Sequence, residues 1–136
     1  KLADQAKKAG ISERIHFIGF VGGAEKQQAY ASADVLIIPS RSEAMSIVVL
    51  EAAVHATPVI CTDQCGLDAF GQEGCVSIVP VTVEGIADGL SVFLNSEGHQ
   101  DRGVQLQNYV AERFEWSSII RQYIAMYEKI LDVRIR

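Results

Sequence analysis

The sequence predicts an α/β domain, a parallel sheet with helices on both faces, from three observations. The runs VLIIPS and PVICTD are apolar without alternation, as expected of strands covered on both sides. Segments of helical character, AEKQQAYASA, IVVLEAAVHA and VEGIADGLSVFLNS, stand before, between and after them. Strand and helix therefore alternate, which is the order of βαβ units with right-handed crossovers. With 136 residues, 49% of them hydrophobic, the chain can bury a core of its own, as one domain or part of one.

KLADQAKKAG reads as the tail of a helix stopped by Gly10, with no methionine or cap before it, so Lys1 is expected to be a cut inside a larger protein. RIHFIGFV, bounded by Gly22-Gly23, predicts a first strand. AEKQQAYASA is rich in helix formers. VLIIPS is a second strand, after which Ser46 offers an N-cap for IVVLEAAVHA, ended near Thr57-Pro58. PVICTD is a third strand, CGLDAFGQEG a glycine-punctuated loop and CVSIVPV a fourth strand. In VEGIADGLSVFLNS, Ile86, Leu90, Val92 and Phe93 lie close to one helix face. A further helix is expected from about Asp101 to Arg113, and Ser117 or Ser118 caps a last one, IIRQYIAMYEKIL. In such sheets ligands sit outside the carboxyl ends of the strands, which singles out the loops after Phe20, Ser40 and Asp63.

Composition narrows the function. A net charge of −5 and the lack of any Lys/Arg cluster argue against a nucleic-acid surface. Cys61, Cys65 and Cys75 are odd in number and suit a reducing compartment. The longest apolar run, AMSIVVLEAAVHATPVI, is broken by Glu51, His55 and Pro58 and is too short to cross a bilayer.

Within RSEAMSIVVLEAA a carboxylate stands at each end of an apolar stretch. With Ser46 as cap, the N–H groups of Ile47, Val48 and Val49 face the loop carrying Arg41, Ser42 and Glu43, an end suited to an anion such as phosphate. Glu51, just over a turn further in, is placed to accept from vicinal hydroxyls, and Glu43 to meet a hydroxylated group beyond the phosphates. The plainer reading makes Glu43 a loop charge and pairs Glu51 with a nearby cation. Arg41 is the remaining cation near the helix start, to neutralise phosphate or to be solvated or paired with a glutamate. The C-x3-C spacing of Cys61 and Cys65, with Cys75 and His55, raises zinc, but Cys61 falls in a buried strand and an ordinary buried thiol is the better account.

The order FIGFV, Tyr30, SADVLIIPS and SEAMSIVVLEAAVHATPVICTD resembles the carboxy-terminal half of GT-B nucleotide-sugar glycosyltransferases. It is most similar to the large retaining family with a Glu-x7-Glu signature (glycosyl transferases group 1), from about Gly10 to Leu131, with FEWSSIIRQYIAMYEKIL like that family's ending. The resemblance implies a Rossmann-like sheet lacking its first two strands. Residues 1–136 would be a fragment of the donor domain, and the acceptor domain would lie outside it. It implies transfer of a sugar, with retention, from a nucleoside diphosphate to a sugar, lipid or polysaccharide acceptor, without a metal or resident cofactor. Cell-envelope polysaccharide or glycolipid synthesis is a common setting, in the cytoplasm or at the inner face of the membrane.

By the same resemblance Glu51 binds the ribose and Glu43 faces the transferred sugar. Ala44, Met45, Ser46 and Ile47 bring backbone amides to sugar and diphosphate, and Phe20 and Val21 line the nucleobase. Gly66-Leu67-Asp68, in the third loop, could also touch the sugar. Two departures stand out. Ala44-Met45-Ser46 replaces the usual Gly-Phe-Gly, and His55-Ala56-Thr57 replaces a stretch that usually carries a glycine before the proline. The family's phosphate-gripping Arg and Lys would lie before Lys1, so this fragment alone is expected to be inactive. The first departure keeps a non-catalytic interaction module open as an alternative, and the shared fold keeps a sugar-nucleotide epimerase open.

Overall fold

The structure, a computed structural model, describes residues 1–134. In chain order it comprises α1 (Leu2–Lys8), a 3-10 turn (Ser12–Arg14), α2 (Gly23–Ala31), β1 (Leu36–Ile38), α3 (Ile47–Val54) and β2 (Val59–Thr62). There follow α4 (Asp68–Gln72), β3 (Ser77–Val79), α5 (Val83–Asn95), α6 (His99–Phe114) and α7 (Trp116–Arg134). The strands form one parallel sheet in the order β1-β2-β3, with Ile37 opposite Ile60 and Cys61 opposite Ile78.

Side chains leave each strand alternately, so an apolar run must feed two cores. Leu36, Ile38, Val59, Cys61 and Ile78 join Val49, Ala52 and Ala53 of α3, Phe70 of α4 and Leu106 of α6. Val35, Ile60 and Val79 point the other way, onto Ile86, Leu90 and Phe93 of α5. Helices thus cover both faces, as the unalternating runs required. Ile60 and Leu106 are fully buried, each contributing roughly 1.5–3 kcal/mol. At its C-terminal end α3 is tied to α6, whose Gln107 side-chain amide donates to the Val54 carbonyl at 2.8 Å.

Several expectations are corrected. RIHFIGFV is not a strand: residues 15–22 carry no regular structure, and Phe17, Ile18 and Phe20 are exposed. A strand exists only by pairing, and no neighbouring segment among the described residues supplies the ladder. The sheet therefore has three strands, not four. CGLDAFGQEG contains the short helix α4, because Phe70 inserts into the core and pulls one turn of chain with it. The sixth helix begins at His99 rather than near Asp101, and the last starts at Trp116, ahead of both serines proposed as caps.

Candidate functional site

Because the strands are parallel, the loop after β1 and the loop after β2 lie at one end of the sheet. They are stitched together. The Glu43 amide donates to the Gln64 carbonyl at 2.9 Å, and the Thr62 hydroxyl donates to the carbonyl of Ser40. Gly66, at φ +64°, lies so close that a Cβ there would stand 2.0 Å from the Ala44 carbonyl oxygen. Glycine is required on both counts.

The first of these loops runs straight into α3. Ser46 is its N-cap residue, 1% exposed, with extended backbone. Its hydroxyl does not cap the helix, contrary to expectation. The Ser40 hydroxyl donates to Glu43 instead and, with the neighbouring Ser46 hydroxyl, holds that carboxyl below its ordinary range. Glu43 is thus an anion at neutral pH, half-exposed beside the helix start. Ile47 and Val48, the first helical residues, leave their N–H groups without a protein acceptor among the described residues. Ala44 and Met45 are exposed on the approach, and Arg41 is exposed with no ion pair among the described residues.

The backbone also bears on the Ala44-Met45-Ser46 departure. Among the described residues, Ala56 is the sole non-glycine with positive φ, so none of the three is strained. The freedom glycine would give there is not needed for the loop's shape; what the larger side chains reduce is room for close approach.

Glu51 lies one turn into α3, on the same helix face as Ile47. Its side chain is 34% exposed, neither in the apolar interior nor across the sheet. Lys26 Nζ contacts Oε1 at 2.6 Å, and the Tyr30 hydroxyl donates to Oε2 at 2.9 Å, both from α2. These bonds, Lys26 first, pull the Glu51 pKa below its ordinary value, while burial and the Glu51 contact raise that of Tyr30. Beside the carboxylate opens a groove of about 210 Å³, lined by Lys26, Gln27, Tyr30, Glu51, Val54 and His55.

Glu43, Ala44, Met45, Ser46, Ile47 and Arg41 are consequently gathered at the α3 N-terminus, with Glu51 one turn beyond. Phe20 is not part of this cluster's packing. It is 97% exposed, while Val21 is half-buried. The sequence reading passed over Lys26 and Ser40. The Lys26–Tyr30 spacing of four on a helix was the available signal, since it puts both side chains on one face. The three thiols are buried and free, and no group of three His, Cys, Asp or Glu able to hold a metal occurs among the described residues. Burial pushes the Cys61 thiol up to about 12. No helix among the described residues is long and apolar enough to cross a membrane.

A parallel α/β domain with helices on both faces and an open helix N-terminus at the carboxyl ends of its strands belongs to the class that carries its ligand sites there. Residues 1–96 match the family model described as Glycosyl transferases group 1. The chain belongs to that family. It is similar to an uncharacterized glycosyltransferase of Methanocaldococcus jannaschii, 29% identical over 97% of this chain and 35% of the relative. It is 34% identical to the phosphatidyl-myo-inositol mannosyltransferase of Mycobacterium tuberculosis, over 94% of this chain and 36% of that one. To the D-inositol 3-phosphate glycosyltransferase of Corynebacterium urealyticum it is 29% identical, over 95% and 31%. The chain spans about a third of the length of these curated relatives. Its fold matches sucrose-phosphate synthase from Thermosynechococcus elongatus at a TM-score of 0.80 and 22% identity, over 97% of this chain and 34% of that one. The GT-B, Rossmann-like expectation is met.

Proposed function

We propose that this chain is the donor-binding, carboxy-terminal domain of a retaining glycosyltransferase, binding a nucleoside-diphosphate sugar whose sugar passes to an acceptor held elsewhere in the protein. The observation that carries the reading is the α3 N-terminus, with two N–H groups that have no acceptor among the described residues between an ionised Glu43 and an ionised, accessible Glu51. In this reading the diphosphate rests on the amides of Ile47 and Val48, where the helix end offers roughly half a positive charge. Ala44, Met45 and Ser46 line its approach. Arg41 adds a cation, so the leaving diphosphate is stabilised electrostatically. Glu51 accepts from the ribose hydroxyls and Glu43 faces the transferred sugar. Phe20 and Val21 close over the nucleobase, a role that needs the exposed residues 15–20 to move onto the ligand.

Two relatives are named for inositol compounds, which supports an acceptor that offers a hydroxyl on a polyol, a sugar or a lipid headgroup. The proposal places the reaction in the cytoplasm or at the inner face of a membrane.

Calorimetric titration of the full-length protein with UDP, GDP and ADP tests the reading. One of the three is expected to bind, and Glu51→Ala to weaken it roughly tenfold or more, the loss of a charged hydrogen bond. Binding of none, or binding indifferent to Glu51→Ala, leaves a non-catalytic module as the better description. Release of nucleoside diphosphate that requires an acceptor separates transfer from epimerisation.

A further inference from the structure

We propose that Lys26 and Tyr30 are positioning residues that fix the Glu51 carboxylate as a two-point acceptor for adjacent hydroxyls, so that the site selects ribonucleotides over 2′-deoxyribonucleotides. This rests on the reading of Glu51 as the ribose-binding residue and adds the device behind its selectivity.

A carboxylate has about four acceptor positions on its two oxygens. Lys26 takes one on Oε1 at 2.6 Å and Tyr30 one on Oε2 at 2.9 Å. Each oxygen therefore keeps acceptor capacity, and the group as a whole loses its rotation. A free glutamate must surrender rotamer freedom when it grips a diol; here that cost is met during folding. The anchors are themselves held. The Thr57 hydroxyl donates to the Tyr30 carbonyl at 2.9 Å, and the Tyr30 ring stacks on His55 with centroids 6.1 Å apart. Lys26 and Tyr30 project from one face of α2, four residues apart, so the same helix that covers α3 supplies both clamps. The adjacent groove lies on the clamped side, with Gln27 and Val54 as further walls. A ribose can engage both oxygens with its two hydroxyls. A 2′-deoxyribose can engage only one and leaves a fixed acceptor unpaired.

The test uses the full-length protein, with whichever of UDP, GDP and ADP binds and its 2′-deoxy counterpart. Dissociation constants are measured for wild type, Lys26→Met, Lys26→Arg and Tyr30→Phe. Wild type is expected to favour the ribonucleotide roughly tenfold or more. Lys26→Met and Tyr30→Phe each shrink that ratio towards unity, and Lys26→Arg restores it. Should Lys26→Met fail to fold, Tyr30→Phe, which removes one hydroxyl, reads the same ratio. A ratio unchanged in these variants while melting temperatures fall overturns the inference and reduces the contact to a fastening of α2 on α3. Absence of discrimination in wild type overturns it as well while leaving nucleotide binding standing. Failure of all three nucleotides to bind overturns both readings.

Discussion

Ala56 sits at φ +53°, a left-handed conformation in the turn between α3 and β2 that glycine adopts without strain. An L-residue there costs roughly 1–2 kcal/mol, whereas glycine costs about 0.5–1 kcal/mol in unfolded-state entropy. The difference favours Ala56→Gly by about 0.5–1 kcal/mol, read as a rise in the urea midpoint at constant m-value. An unchanged or lower midpoint would mean that the alanine methyl contributes packing of similar size. The stretch His55-Ala56-Thr57 illustrates how far single positions are legible. The sequence shows an alanine at position 56, but its left-handed φ is set by the turn and not by the residue type. Glu51 behaves likewise. Of its two sequence readings, partner of a cation is the one observed, with Lys26 on Oε1, and the side chain stays 34% exposed.

At the scale of elements, legibility followed burial. VLIIPS, PVICTD and CVSIVPV each contain a strand, because a run covered on both faces has few other homes. RIHFIGFV also offered β-branched and aromatic residues, but a strand there depends on a neighbour that no local pattern can supply, and α4 was hidden because one inserted phenylalanine decides it. Contacts between elements were invisible for the same reason, and Gly103 is the sharpest case. A Cβ on this α6 residue would lie 1.8 Å from the Ala56 carbonyl oxygen, against backbone that cannot swing aside. Helix propensity alone would reward Gly103→Ala by about 1 kcal/mol. The overlap forces α6 away from α3 at a cost of about 1–3 kcal/mol or more, and with 1.8 Å the upper end applies, so a net destabilisation near 2 kcal/mol is expected. Thermal unfolding of the variant checks the sign: a stabilised protein would show that the α3–α6 contact is looser than described.

Over the whole molecule, the displaced pKa values add up to an asymmetric pH profile of stability. Glu43 and Glu51 are both held below their ordinary value of 4.5 in the folded state. Their stabilisation is complete above that value and is lost as pH falls through the folded pKa. For Glu51 the loss is small, about 0.2–1 kcal/mol, because Lys26 and Glu51 are 39% and 34% exposed and water screens the pair. On the alkaline side the signs reverse. Cys61, Cys75 and Tyr30 are raised, chiefly by burial, so the unfolded chain loses these protons first and stability falls as pH climbs. Cys61 is displaced furthest, from 9.0 to about 12, so it is the main contributor to the alkaline loss. The alkaline arm should therefore be the steeper one. Urea midpoints measured along both arms give the comparison. Glu51→Gln is expected to flatten the acid arm slightly, and Cys61→Ala to flatten the alkaline arm strongly while lowering the plateau by the small cavity it leaves. If Cys61→Ala keeps the wild-type alkaline slope, the thiol is not the group whose ionisation opens the sheet, and Tyr30 with its bond to Glu51 becomes the one to replace next.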